Sequence, residues 1–236
     1  MRKVQPLSPA GLGVIEAAVA EAEARTTGEI YCVVAEESSE YGETPLAWAA
    51  GVALLGPALL LLGGVHVTVP DLFGGWSAEQ AGQIAEAAAR RALIGAVVLQ
   101  GVLFAATMLL VSLTPVRRAL TPRAFKRDRV RRRAQEQFLA KNLHLTRERT
   151  GVLIFVSLAE RMAEIIADEG IAAQVEPEAW TRAMDALIEG LKRDQPSAGF
   201  AAAIGLCGDL LAGKFPADPS DNPNELSDRV VVLPVT

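Results

Sequence analysis

The sequence predicts a small α/β sandwich of three or four strands, interrupted by a transmembrane helical hairpin. Three observations lead there. Two runs without a charge, WAAGVALLGPALLLLGGVHVTV (Trp48 to Val69) and ALIGAVVLQGVLFAATMLLVSL (Ala92 to Leu113), lie in the first half of the chain. At about 1.5 Å per residue, each is long enough as a helix to cross roughly 30 Å of hydrocarbon. Apolar runs of strand length stand on both sides of this pair, and amphipathic helical patterns flank those runs.

Taken in order, Ser8-Pro9 reads as an N-cap followed by proline at the first helical position. Leu12, Ile15, Val19 and Ala22 then recur at helical spacing, with Glu16, Glu21 and Glu23 on the other side. Thr26-Thr27-Gly28 ends the helix. EIYCVVAEE (Glu29 to Glu37) follows as a strand whose Ile30 to Val34 core is almost wholly apolar, as in a sheet covered on both faces.

The two uncharged runs keep only isolated polar residues (His66, Thr68, Gln100, Thr107, Ser112), whereas buried helices of a soluble core usually keep a polar stripe. A complete amphipathic segment precedes the first run and no basic region adjoins it, so it is not read as a cleaved signal peptide. Trp48 and Trp76 fall where indoles favour a membrane boundary. The connector PDLFGGWSAEQAGQIAEAAARR is expected outside, and Gly51, Gly56, Gly63, Gly64, Gly95 and Gly101 permit close packing within the hairpin or between copies, leaving a homo-oligomer open.

Arg117, Arg118, Arg123, Lys126, Arg127, Arg129, Arg131, Arg132 and Arg133 come next, with Asp128 the one acid among them, so the block carries +8 within a chain of net charge −5. Basic residues just after a span resist translocation, so two spans place both termini in the cytoplasm. Arg117, Arg118, Arg123, Lys126 and Arg127 are the candidate lipid-facing anchor. Nucleic-acid binding would bring a recognised fold, which is lacking, so no nucleic-acid partner is expected.

Thr121-Pro122 reads as a second N-cap and first-position pair, opening a helix to about Asn142 that offers Phe138, Leu139 and Leu143 to a core. Val152 to Leu158 is a continuous apolar strand, Ala159-Glu160 a tight turn, and Arg161 to Ala167 a second, alternating strand: a hairpin ending at Asp168-Glu169-Gly170. Pro177 opens a helix carrying Trp180, Met184, Leu187, Ile188 and Leu191; Pro196 opens the last, with Phe200, Ala203, Ile204, Cys207 and Leu211 on one stripe. The terminal valines are placed to add a short strand. The expected organisation is therefore 1–45 and 134–215 as one cytoplasmic fold in two pieces, 46–114 the membrane hairpin, 115–133 a basic juxtamembrane segment and 216–236 a polar tail.

Cys32 and Cys207 lie in apolar surroundings without CxxC or Cys/His spacing, which predicts two buried free thiols. A phosphate-handling nucleophile loop is also missing. The acids with the best placement are Asp168 and Glu169 after the second hairpin strand and Glu178 at a helix start, near Thr27, Glu29 and Thr150; together they form the candidate site for a divalent cation, calcium or magnesium. The same residues also suit plain turn and first-turn roles. Glu160 and Arg161, with Glu36 and Glu37 nearby, read as a solvated turn.

The stretch Thr150-Gly151-Val152-Leu153-Ile154 through Ser157-Leu158-Ala159-Glu160-Arg161 to Ile165-Ile166-Ala167-Asp168 resembles the TPM domain family, and Thr27-Gly28-Glu29-Ile30-Tyr31-Cys32-Val33-Val34 is similar to that family's opening strand. The likeness covers about residues 7–37 and 134–213. It implies an α/β/α sandwich, and either of two roles: an accessory or assembly factor for a membrane complex, or the acid phosphatase and calcium-binding activity assigned to plant relatives. The usual layout is an exported domain followed by one span. Here the spans are inserted, which makes an interaction or assembly factor the first expectation and a metal-dependent phosphatase at the cytoplasmic membrane surface the second.

Overall fold

The computed structural model describes residues 7–63, 78–146, 149–217 and 226–234. The chain divides into two compact units, one made of residues 1–40 and 123–236 and the other of residues 41–122.

In the first unit, α1 (Pro9–Glu23) begins as the sequence predicts, with Ser8 Oγ accepting from Gly11 N at 3.1 Å and Pro9 in the first turn. β1 (Glu29–Ala35) is buried along its whole length. After the inserted unit come α5 (Arg123–Ala140), a 3₁₀ turn (Leu143–Leu145), β2 (Gly151–Ser157) and β3 (Met162–Ala167). The short α6 (Glu169–Ala172), then α7 (Pro177–Lys192), α8 (Pro196–Lys214) and β4 (Val231–Leu233) complete it.

The sheet order is β3-β2-β1-β4. β1 and β2 are parallel, with Glu29 opposite Gly151 and Ala35 opposite Ser157. β3 returns antiparallel to β2, and β4 runs parallel to β1 over Val33 to Ala35. Strand alternation sends Ile30, Cys32, Val34, Val152, Ile154 and Val156 to one face, where they pack with the apolar stripes of α1, α7 and α8. Tyr31, Val33, Ala35, Leu153 and Phe155 face the other way, against Val130, Ala134 and Phe138 of α5 and Leu143. The unit is thus the α/β/α sandwich that the resemblance implies. Fully burying each large apolar side chain of this kind stabilises by about 1.5–3 kcal/mol, so neither sequence piece could replace the other's share of the core.

Helices α7 and α8 meet backbone to backbone. A Cβ on Gly190 would lie 2.4 Å from Gly199 Cα, a separation no side chain survives. Leu187 and Leu191 of α7 are buried as expected, but the rest of the stripe runs through Ala179 and Ala183, with Trp180, Met184 and Ile188 flanking it half-buried. Leu139, offered to the core by the sequence, is instead 60% exposed, because the α5 stripe runs through Val130, Ala134 and Phe138.

The second unit contains α2 (Glu43–Leu62), α3 (Ala78–Ser112) and α4 (Thr114–Leu120). α2 and α3 pack on one another, with Gly56 close enough to Leu103 that a Cβ there would meet its Cδ1 at 3.0 Å. Nearly two thirds of the expected external connector is helical, since α3 starts at Ala78; AEQAGQIAEAAARR is rich in strong helix formers. The last six residues of the first uncharged run (64–69), with His66 and Thr68, and Trp76 lie outside the described residues.

Thr121 does not cap α5. Its hydroxyl donates to Arg117 O at 2.8 Å and sits 3.1 Å from Thr44 Oγ1, while proline at the next position keeps its backbone extended (ψ 121°) and separates α4 from α5. Among the described residues, three helices are long and apolar enough to cross a membrane: residues 43–60 of α2, 93–112 of α3 and 196–214 of α8. Of the last, 39% is buried within the protein, against 6% of 93–112.

Candidate functional site

At the amino end of the sheet, the hairpin brings Asp168 to the start of β2, as the sequence predicts. Asp168 N donates to Gly151 O at 2.9 Å, Glu29 N to Thr150 O at 3.2 Å, and Thr150 Oγ1 to Thr27 O at 3.4 Å. Asp168 caps α6, its Oδ1 accepting from Glu169 N at 2.6 Å; Oδ2 is buried with no hydrogen-bond partner among the described residues. The other two candidates point elsewhere. The Glu169 carboxylate is 86% exposed and pairs with Arg149 at 2.9 Å, and Glu178 is exposed in the first turn of α7, where a negative charge is favoured. Among the described residues no group of three or more His, Cys, Asp or Glu could hold a metal ion. Calcium takes six to eight oxygens and magnesium an octahedron, so Asp168, Glu169 and Glu178 do not fit either ion as a set.

The carboxyl end of the parallel strands is the other polar centre, and the place where open α/β sheets bind ligands. Leu158 N donates to Ala35 O and Ala159 N to Glu36 O, both at 3.0 Å, which locks the hairpin turn onto the exit of β1. Glu160, read from the sequence as a solvated turn residue, faces inward. Its carboxylate accepts from Ser157 Oγ and from Ser38 N, at 3.3 and 3.4 Å for the two oxygens. Glu37, Ser38 and Ser157 are all buried, and Ser38 Oγ lacks a partner. Arg161, at positive φ, turns out to Asp194 at 2.9 Å. A serine donating to a carboxylate needs a proton acceptor and an oxyanion donor before it becomes a nucleophile. His144 sits in the 3₁₀ turn, at the opposite end of the sheet.

Two further groups escaped sequence reasoning. Glu164 points to the α5 face of β3, opposite Phe155; burial raises its pKa, and Arg131 and Arg127 pull it back down. Arg127, named as a lipid-facing anchor, therefore serves a carboxylate of the sheet as well. Arg117 and Arg118 stand on α4, while Arg123 and Lys126 open α5.

Glu16 and Glu29 seat the C-terminal segment, and Glu23 lies close enough to it to feel the charge of Asp228. Glu29 Oε2 accepts from Leu226 N at 3.2 Å, and Glu16 Oε1 from Val230 N at 3.3 Å. Glu23 Oε1 accepts from Ile30 N at 2.8 Å; burial drives its pKa up to about 8, with Glu29 and Asp228 adding to the rise against the Ile30 hydrogen bond. The helical spacing had put Glu16 and Glu23 on the solvent side, and Glu29 was expected beside the candidate cation site; nothing local signals that the end of the chain reaches them. Cys32 and Cys207 are buried free thiols, as predicted, both pushed up by burial, Cys207 to about 12.

These features meet known proteins at two points. The family model of the TPM domain matches residues 116–210, taking in α5, the β2–β3 hairpin, α7 and most of α8. The NMR structure of the BA42 protein from the psychrophilic bacterium Bizionia argentinensis superposes with a TM-score of 0.54 at 16% sequence identity, over 97% of this chain and 96% of that one, a likeness of fold. No curated protein matches the chain. The TPM-domain model thus matches the part of the α/β/α sandwich that follows the insert, and the likeness to the solved structure is one of fold.

Proposed function

We propose that the chain is a membrane-anchored protein of two spans with both termini in the cytoplasm, and that its TPM domain serves as an interaction or assembly factor for a membrane complex. The supporting observation is the contrast between the units. Leu54, Leu55, Leu59, Val97, Val98 and Leu109 of α2 and α3 are each more than half exposed, in segments free of charge, whereas the apolar residues of α8 close a core. Lipid is the solvent that accepts such helices. α8 is not counted as a span, since Phe200, Ala203, Ile204, Cys207 and Leu211 are fully buried. Alkaline carbonate should leave the chain in the membrane pellet, and pulldown in mild detergent should return a reproducible membrane partner. Release by carbonate refutes the anchor; repeated pulldowns without a partner refute the assembly role. A cysteine placed at exposed Ala140 (Ala140→Cys) should react with an impermeant maleimide only after lysis.

The alternative is a calcium- or magnesium-dependent phosphatase at the cytoplasmic membrane surface, and one atom favours it: the buried, unpartnered Oδ2 of Asp168. Phosphate release that disappears in Asp168→Asn would support it. Absence of release across a substrate panel with calcium, magnesium or manganese removes it.

A further inference from the structure

We propose that the amino-terminal half of α5 is a docking surface for anionic phospholipid headgroups, with Phe125 as the side chain that enters the bilayer interface. This deepens the membrane-anchored reading and rests on it. From Arg123 to Arg133 the helix carries seven basic residues against Asp128. Its buried stripe, Val130, Ala134 and Phe138, is committed to the sheet. At 100° per residue, Phe125 stands opposite Ala134, and Arg132 falls on the same outward side. Phe125 is 62% exposed and Arg132 is exposed beside it, while Arg123, exposed at the helix start, lies about 160° round the helix on the side of Arg127.

The arginines divide by task. Arg127 and Arg131 offset the half-buried Glu164. Among the described residues, Arg123 and Arg132 have no ion-pair partner. The first turn of α5 holds no acid, so basic side chains crowd the positive end of the helix dipole, an arrangement that costs stability until an anion offsets it. An exposed phenylalanine among basic residues matches the interfacial pattern of apolar side chain and headgroup-binding cations. Chain length favours lipid over other polyanions: between Ser112 and Arg123 lie ten residues, seven of them in α4, which limit Arg123 to roughly 25 Å from the end of α3.

The test uses the full chain in nanodiscs of phosphatidylcholine, with or without phosphatidylglycerol, and Phe125→Trp read by brominated-lipid quenching against the parent protein's tryptophan background. Phosphatidylglycerol should bring on quenching at position 125 and slow amide exchange across 121–133. Arg132→Gln should lower the preference for anionic over zwitterionic lipid by about fivefold. Glu164→Gln, which leaves the outward face intact, should retain it. Equal quenching in both lipids, or stronger protection by RNA than by phosphatidylglycerol, overturns the proposal. Carbonate extraction of the same preparations keeps the two readings apart: a chain that stays in the membrane yet shows no lipid preference sinks the headgroup surface alone.

Discussion

Replacing Glu23 by glutamine should free the α/β unit from a loss of stability in mild alkali. Glu23 titrates at about 8 in the fold against an ordinary 4.5, so the folded state holds a proton there that the unfolded chain has already released. The stabilisation from this group is complete below pH 4.5 and is lost as pH climbs through 8. The full span between those values corresponds to about 5 kcal/mol. Glu23 is only half-buried, and water relaxing around its carboxylate reduces the figure to about 2 kcal/mol. Glutamine keeps an oxygen for Ile30 N and never ionises. The assay is amide exchange at Ile30 and across residues 226–233, comparing parent and Glu23→Gln at the same pH so that intrinsic exchange rates cancel. Near pH 5 the two should agree. Near pH 9 the variant should be about 30-fold better protected, the ratio that 2 kcal/mol represents. Equal protection at both pH values would refute the argument that a buried proton on Glu23 secures the amino end of β1 and the segment docked beside it.

Other substitutions probe the fold more directly. Gly190→Ala must push α7 off α8 and should lower stability by about 2 kcal/mol or more, seen as an earlier urea midpoint; an unchanged midpoint would mean the helices slide apart freely. Phe155→Ala, at a fully buried position, should cost about 3–5 kcal/mol on the same measurement. Glu160→Ala strips the acceptor from Ser38 N and Ser157 Oγ and should cost about 1–3 kcal/mol, with faster exchange confined to the β1 exit and the hairpin turn. Should exchange there stay as in the parent, Glu160 is not what ties the two together.

Where the chain's own neighbourhood decides the structure, the sequence was readable. Ser8 and Pro9 start α1 because cap and proline act within a single turn, and the prolines at 177 and 196 start α7 and α8 for the same reason. The β2–β3 hairpin follows from alternation around a tight turn. What stayed hidden depends on distant partners. Thr121 looked like a cap, but its hydroxyl meets Thr44, 77 positions away. Glu23 looked solvated, but its carboxylate takes Ile30 N at the start of β1 and feels Asp228 from the far end of the chain. Glu160 looked like a turn residue, and only the arrival of Ser38 beside the hairpin gives its carboxylate a reason to face inward. For the metal candidates, spacing predicted that Asp168 would reach the start of β2, as it does, yet could not tell that Arg149 would claim Glu169.

The pairing of β1 with β2 has a consequence for how the protein is made. Glu29 must find Gly151, about 120 residues further along, so β1 leaves the ribosome with neither of its sheet neighbours yet synthesised. At about 5–20 residues per second, that wait lasts on the order of ten seconds, during which a strand with an almost wholly apolar core is bare. Nascent chains stalled between residues 60 and 120 should therefore be the forms most dependent on chaperone cover, and those extended past Ser157 should shed it.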